Sequence, residues 1–175
     1  MLLSDKVAVI TGAGSGIGRA SAVKFALEGA KVVVADVQDE GSAETVRSIQ
    51  SAGGTATALR TDVTDSSAVD RMVKTAVETY GRLDILFNNA GIIIKGTVLD
   101  VDEESFDRIF GVNVKGVFLG CKAAIPIMLS QGGGVILNTA SQMGTVGFEG
   151  SCVYPATKGA VIQMTRCLAL DYATD

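Results

Sequence analysis

The residues Thr11-Gly12-Ala13-Gly14-Ser15-Gly16-Ile17-Gly18 constrain the fold more than any other part of the chain. They follow Val7-Ala8-Val9-Ile10, a short β-branched run of the kind that forms a strand buried on both faces. They precede Arg19 to Glu28, where Ala22, Val23, Ala26 and Leu27 mark the apolar side of a helix. The glycines therefore stand where a strand turns sharply into a helix. Backbone N–H groups and the positive end of the helix dipole face outward at such a turn, ready for a phosphate. Glycine suits it because a Cβ would hold a pyrophosphate off the backbone, and because the turn needs unusual φ values. With a strand before it and a helix after it, the pattern reads as a dinucleotide fingerprint rather than an ordinary βα turn. Gly12, Ser15, Gly16, Ile17 and Gly18 are the expected cofactor contacts.

Lys31-Val32-Val33-Val34-Ala35 reads as a second buried strand, and Asp36 ends it, eighteen residues after Gly18. An acidic side chain at that place accepts hydrogen bonds from ribose hydroxyls and repels a 2′-phosphate. No Lys or Arg stands inside the glycine loop or directly after Asp36, at Val37, to offset the repulsion. The expectation is NAD rather than NADP.

The alternation continues. Glu40–Ala52 reads as a helix stopped by Gly53-Gly54, and Thr55–Arg60 as a strand. Ser66–Tyr80 is an amphipathic helix closed by Gly81, and Leu83–Phe87 a fourth strand running into Asn88-Asn89-Ala90-Gly91. A helical pattern runs from Ser105 to about Leu129, with a kink expected near Gly111, and Val135–Thr139 is a fifth strand. The last helix spans Tyr154 to Tyr172. There is no internal repeat, linker or low-complexity segment. Regular βα alternation over 175 residues predicts one α/β domain, 1–175, with a doubly wound parallel sheet and helices on both faces. Ligands on such sheets bind at the carboxyl ends of the strands, and Gly12, Asp36, Asp62, Asn89 and Ser141 all fall at or just past those ends.

Composition removes several classes of function. A net charge of −4 gives no attraction for nucleic acid or anionic lipid. The chain has no histidine, which excludes a Ser-His-Asp mechanism and histidine-ligated zinc. The three cysteines, Cys121, Cys152 and Cys167, lie far apart without metal-type spacing, so no metal site is expected. Their odd number fits a reducing cytoplasm. The first six residues are too short and polar for a signal peptide, and the apolar stretch Val117–Leu129, broken by Lys122 and Pro126, is too short to span a bilayer. Acid–base chemistry must come from Tyr, Lys, Cys or a carboxylate.

Tyr154 and Lys158 lie four apart at the start of a predicted helix, one turn apart on one face. An ammonium there stabilises a phenolate, and a tyrosine so tuned can move a proton to or from an alcohol or carbonyl oxygen. Taken with Ser141 before it, Asn88-Asn89-Ala90-Gly91 and the Thr11-Gly-x-x-x-Gly-x-Gly loop, the pair resembles the short-chain dehydrogenase/reductase family. The likeness runs from Lys6 to the end of the chain with the motifs in family order. It implies Tyr154 as general acid/base and Ser141 as hydrogen-bond partner of the reacting oxygen. Lys158 would hold the nicotinamide ribose as well as tuning the tyrosine. Asn113 alone reads as a mid-helix kink residue; the resemblance makes it the asparagine that supports a water in the proton relay. Asp62-Val63 matches the adenine contact and Asn89-Ala90-Gly91 the segment beside the cofactor. Ser141, Gln142, Met143 and Tyr154 are the expected substrate contacts, with Gly144 and Phe148 nearby.

Two departures stand out. Pro155 follows the tyrosine where the family has a small residue. Because proline suits only the first turn of a helix, the helix should begin within about four residues before it. Family members also continue well beyond Asp175, so the expectation is a domain lacking C-terminal strands and the substrate loop. The leading reading is an NAD-dependent oxidoreductase for a secondary alcohol/ketone pair. The rivals are an NADPH-dependent 3-oxoacyl reductase, a non-catalytic dinucleotide-binding scaffold, and an inactive truncated fragment. Finally, Ser105–Leu129 and the last helix carry apolar residues on more than one side, which predicts a covering partner subunit. The resemblance implies a homodimer or homotetramer.

Overall fold

The computed structural model describes residues 1–174. Five strands form one sheet: β1 (Val7–Thr11), β2 (Lys31–Asp36), β3 (Thr55–Arg60), β4 (Ile85–Asn88) and β5 (Val135–Asn138). Their order is β3-β2-β1-β4-β5 and every pairing is parallel. Strand order reverses between β1 and β4, which opens a crevice above their carboxyl ends. The helices are α1 (Gly16–Leu27), α2 (Asp39–Ser51), α3 (Ser66–Tyr80), α4 (Glu103–Phe110), α5 (Gly116–Ser130) and α6 (Val153–Asp171).

Strand periodicity divides the core into two layers. Val7, Val9, Val33 and Leu86 point to one face, where Val69, Met72, Val73 and Ala76 of α3 and Ala124 and Met128 of α5 cover them. Ile10, Val32 and Val34 point to the other, under Ala22 and Ala26 of α1 and Ile49 of α2. Every residue of β1 is buried, as a central parallel strand requires. α6 lies beside α5 through Val117, Cys121 and Val161.

The predicted kink near Gly111 is instead a π-helical turn, Gly111–Lys115, joining α4 to α5 without a break. A π turn inserts one extra residue per turn and so rotates the helix surface, which brings Asn113 inward. Glu103–Ser130 thereby becomes a continuous 28-residue helix, long and apolar enough by composition to cross a membrane. Its buried residues, among them Ile109, Val117, Cys121, Ala124 and Met128, make it a core helix. The last helix starts at Val153, two residues before Pro155, so the proline stands in the first turn, where its missing N–H breaks no helical bond.

At the amino ends of the strands, opposite the crevice, Asp84 ties the sheet together. Its carboxylate accepts from the Val7 N–H (2.9 Å) and from Arg82 through two bonds (2.8 and 2.6 Å), with Lys6 at 3.4 Å. Burial pushes the carboxyl pKa up, but the Arg82 hydrogen bonds, the Val7 N–H and the two cations outweigh it and hold it below the usual range. A depressed folded pKa contributes stability that is present above the unfolded value, near 4, and is lost as pH falls through the folded value. Asp84→Ala should therefore cost about 1–2 kcal/mol at pH 7, chiefly because it strands the Val7 N–H, while the half-exposed Lys6 and Arg82 return to water. The deficit should shrink below about pH 4. Urea melts of both proteins across that range check it, and a deficit independent of pH would contradict the assignment.

Candidate active site

The crevice at the carboxyl ends of β1 and β4 is built by a cross-link between them. Thr11 Oγ1 accepts from the N–H groups of Asn89 and Ala90, both at 3.0 Å. The Asn89 amide answers by donating to Thr11 O (3.0 Å) and Gly12 O (3.3 Å). Gly12 itself has φ +63°, and a Cβ there would stand 2.9 Å from Ala90 Cα. At Gly18 a Cβ would lie 2.1 Å from Gly12 O, so the helix can approach the loop only without a side chain. Ser15 caps α1 without a side-chain bond, which leaves the first-turn N–H groups open along the cleft wall.

Asp36, at the end of β2, is held by two backbone donors: Gly14 N–H to Oδ2 (2.8 Å) and Gln38 N–H to Oδ1 (3.0 Å). The sequence places no cation in the loop or directly after Asp36, yet the fold brings one alongside. Arg19, from the first turn of α1, folds back so that Nε and Nη2 donate to Gly14 O at 3.1 and 2.5 Å. Further bonds reach Thr45 Oγ1 (3.1 Å) and Gly41 O (3.4 Å) on α2. Gly14 is thus strung between a carboxylate and a guanidinium. Asp62 accepts from both Thr64 donors, at 2.9 and 2.8 Å, and Val63 is buried beneath the cleft floor.

The other end of the cleft holds Tyr154 and Lys158. Lys158 is only 4% exposed, its Nζ donates to Thr139 O (2.7 Å), and it lies 5.7 Å from the centroid of the Tyr154 ring. Burial pushes the lysine pKa down. Behind the pair, Asn113 is fully buried: Oδ1 accepts the Ile92 N–H (2.8 Å), and Nδ2 donates to Ile92 O (2.9 Å) and Thr157 Oγ1 (3.1 Å). Thr157 in turn donates to Tyr154 O at 2.7 Å, tying the first turn of α6 to the π turn.

Gly12, Ser15, Gly16, Ile17, Asp36, Val37, Asp62, Val63, Asn89, Ala90, Gly91, Tyr154 and Lys158 all line this cavity of about 710 Å³. Gly18 and Asn113 stand behind the wall as packing. Ser141, Gln142 and Met143 are not part of the wall. They form a 3₁₀ turn (Gln142–Gly144) capped by Ser141, whose Oγ accepts the Met143 N–H at 3.2 Å. The turn packs on α6 so closely that a Cβ at Gly144 would be 2.7 Å from the Lys158 carbonyl carbon. Thr145 to Gly150, with Phe148 among them, are exposed. Sequence reasoning missed Arg19, Gly41, Thr139 and Thr157. Thr157 carried a signal in its spacing, one residue before the lysine, whereas Arg19 owes its place to a side chain that crosses to the loop and to α2. Gly41 and Thr139 needed the tertiary fold. A separate apolar hollow of about 230 Å³ lies between α5, β5 and α6, lined by Ile125, Met128, Ile136 and Leu168.

The residues present fit a dinucleotide. The carboxylate stands at one end, open first-turn N–H groups and side-chain-free glycines lie in the middle, and the tyrosine–lysine pair stands at the other end. The short chain dehydrogenase family model matches residues 6–175. An uncharacterized oxidoreductase of Thermotoga maritima is 49% identical over 98% of the chain, and a meso-2,3-butanediol dehydrogenase of Serratia marcescens is 43% identical over all of it. A short-chain dehydrogenase/reductase from Burkholderia phymatum, solved in complex with NAD, superposes with a TM-score of 0.96 at 40% identity over 99% of the chain. The chain spans 68% of the length of each of the two curated relatives and 62% of the solved chain. Motif order, sheet topology and these matches agree: the chain belongs to the short-chain dehydrogenase family.

Proposed function

We propose that this chain carries the cofactor-binding and catalytic part of an NAD-dependent oxidoreductase that interconverts a secondary alcohol and a ketone. The observation that carries the reading is the placement of the buried Lys158 ammonium beneath Tyr154 in the same cleft as the glycine loop and Asp36. Asp36 would hold the adenosine ribose, the N-terminus of α1 the pyrophosphate, and Asn89-Ala90-Gly91 with Lys158 the nicotinamide half. When bound, the dinucleotide supplies the hydride acceptor or donor. In the oxidising direction the Tyr154 phenolate, stabilised by the Lys158 charge, takes the hydroxyl proton and becomes the neutral phenol. Ser141 Oγ already accepts the Met143 N–H, which leaves its own O–H proton free to donate to the reacting oxygen. Both Asn113 amide protons are bound, so any part it plays in a proton relay runs through the second lone pair of Oδ1. The NADPH-dependent 3-oxoacyl reductase is disfavoured by the Asp36 carboxylate.

Tyr154→Phe removes the proton-carrying atom and little else. In active protein kcat should fall at least about a hundredfold while cofactor affinity holds. The assay is formation of reduced cofactor with a panel of secondary alcohols, and ordinary turnover by the phenylalanine variant would show that another group is the acid/base. NAD should bind at least about tenfold more tightly than NADP, a gap of about 1.4 kcal/mol, because a 2′-phosphate would meet the Asp36 carboxylate. Equal dissociation constants would refute that reading of Asp36.

We also assign the chain to a homodimer built on α5 and α6. Phe118 and Leu129 of α5 are 49% and 43% exposed, and Leu170 of α6 is 82% exposed. A groove along the same face is lined by Phe110, Val114, Phe118 and Met164. An isologous contact would cover these residues on both copies at once. Light scattering at micromolar concentration should give twice the chain mass, and a mass of one chain rejects the dimer.

A further inference from the structure

Resting on the dinucleotide reading above, the geometry assigns Arg19 as a second determinant of cofactor choice, a cation beside Asp36 that would accept a 2′-phosphate once the carboxylate is gone. Three observations support it. Arg19 and Asp36 line the same end of the cleft and grip the same residue, Asp36 through the Gly14 N–H and Arg19 through the Gly14 carbonyl. Among the described residues the guanidinium uses only Nε and Nη2, on the neutral acceptors Gly14 O, Gly41 O and Thr45 Oγ1, and Nη1 makes no hydrogen bond. Among the described residues no carboxylate lies within ion-pair distance of Arg19, so its charge is not neutralised by a direct partner.

An arginine whose Nε and Nη2 are bonded to the loop and to α2, and whose Nη1 keeps two N–H donors, is pre-organised to meet a phosphate through that nitrogen. The clamp is itself braced, because Thr45 Oγ1 donates to Ala13 O at 2.9 Å. A Cβ at Gly41 would meet Gly14 O at 2.8 Å, so α2 can lie against the loop only as glycine at that point. Swinging the guanidinium away would break its bonds to Gly14 O, Gly41 O and Thr45 Oγ1 together. In the parent protein the Asp36 carboxylate lines the same cleft and repels a second anion. The cleft thus carries both signs, and the carboxylate decides the outcome.

The test compares adenosine 5′-diphosphate with adenosine 2′,5′-bisphosphate by calorimetry, since the ratio of their dissociation constants isolates the 2′-phosphate. Asp36→Ser should shift that ratio toward the 2′,5′-bisphosphate by at least about tenfold. Adding Arg19→Met should abolish the shift, whereas adding Arg19→Lys, which keeps the charge, should retain most of it. The same shift in D36S and D36S/R19M overturns the proposal. So does a loss through lysine as large as that through methionine, which would mark Arg19 as a structural clamp alone. If the parent binds neither adenosine 5′-diphosphate nor NAD, the dinucleotide reading fails and the role of Arg19 fails with it.

Discussion

A buried side-chain amide organises the Tyr154 end of the cleft. Asn113 meets both polar groups of Ile92 as a neighbouring strand would, with Oδ1 to the N–H and Nδ2 to the carbonyl, and gives its second proton to Thr157. Three segments remote in sequence are joined at one fully buried group: the loop after β4, the helix Glu103–Ser130 and the first turn of α6. A polar group at that depth is costly unless every bond is made, and satisfied networks of this kind fix a single geometry. The π turn at Gly111–Lys115 follows from the same demand, since it aims Asn113 at Ile92 while the flanking helices keep their apolar contacts. Gly91 completes the arrangement, because a Cβ there would stand 3.3 Å from Asn113 Oδ1 and 3.7 Å from Lys158 Nζ.

The architecture was legible in the sequence because each element carried its own period and its own stop. β1, β2 and the glycine loop follow from short β-branched runs set against helical text, and α3 from an apolar stripe ending at Gly81, which takes φ +87° as a helix-closing glycine does. The π turn was not legible. Its residues Gly111-Val112-Asn113-Val114-Lys115 contain a helix-weakening glycine and two β-branched residues, which reads as a kink, and only the tertiary demand on Asn113 turns that weakness into an inserted residue. Strand ends moved by a residue or two for a similar reason. Leu83 reads as strand, but its N–H and carbonyl bond to the Gln131 side chain, so pairing with the neighbouring strands begins only after it, with the Asp84 N–H donating to Val7 O and β4 spanning Ile85–Asn88.

The site divides along the same line. Asp36, Asn89 and Asp62, placed by their position at strand ends, do line the cleft, whereas Ser141, placed by the same rule, stands outside its wall. Arg19 was not legible from topology, because its role depends on a side chain crossing from α1 to the loop and to α2, a path that no spacing rule describes. Thr157 is intermediate. A hydroxyl three residues after Tyr154 can bond its carbonyl within the helix, which local sequence permits, but the bond from Asn113 that fixes it is tertiary.

Lys158 shows what the arrangement costs the fold. Its pKa is pushed down from 10.5 by burial, so the folded chain holds this proton less tightly than the unfolded chain does. A lowered pKa on a cationic group destabilises the fold fully below the folded value. That cost fades as pH rises through the folded value and is gone above the unfolded one. Among the described residues the buried amine has one hydrogen-bond acceptor, Thr139 O, a partner that keeps the side chain in place without offsetting a charge. Packing alone would favour an apolar residue here. A side chain kept at 4% exposure, beside the Tyr154 ring and with no carboxylate partner among the described residues, is a feature that stability argues against and that the proposed proton transfer would require.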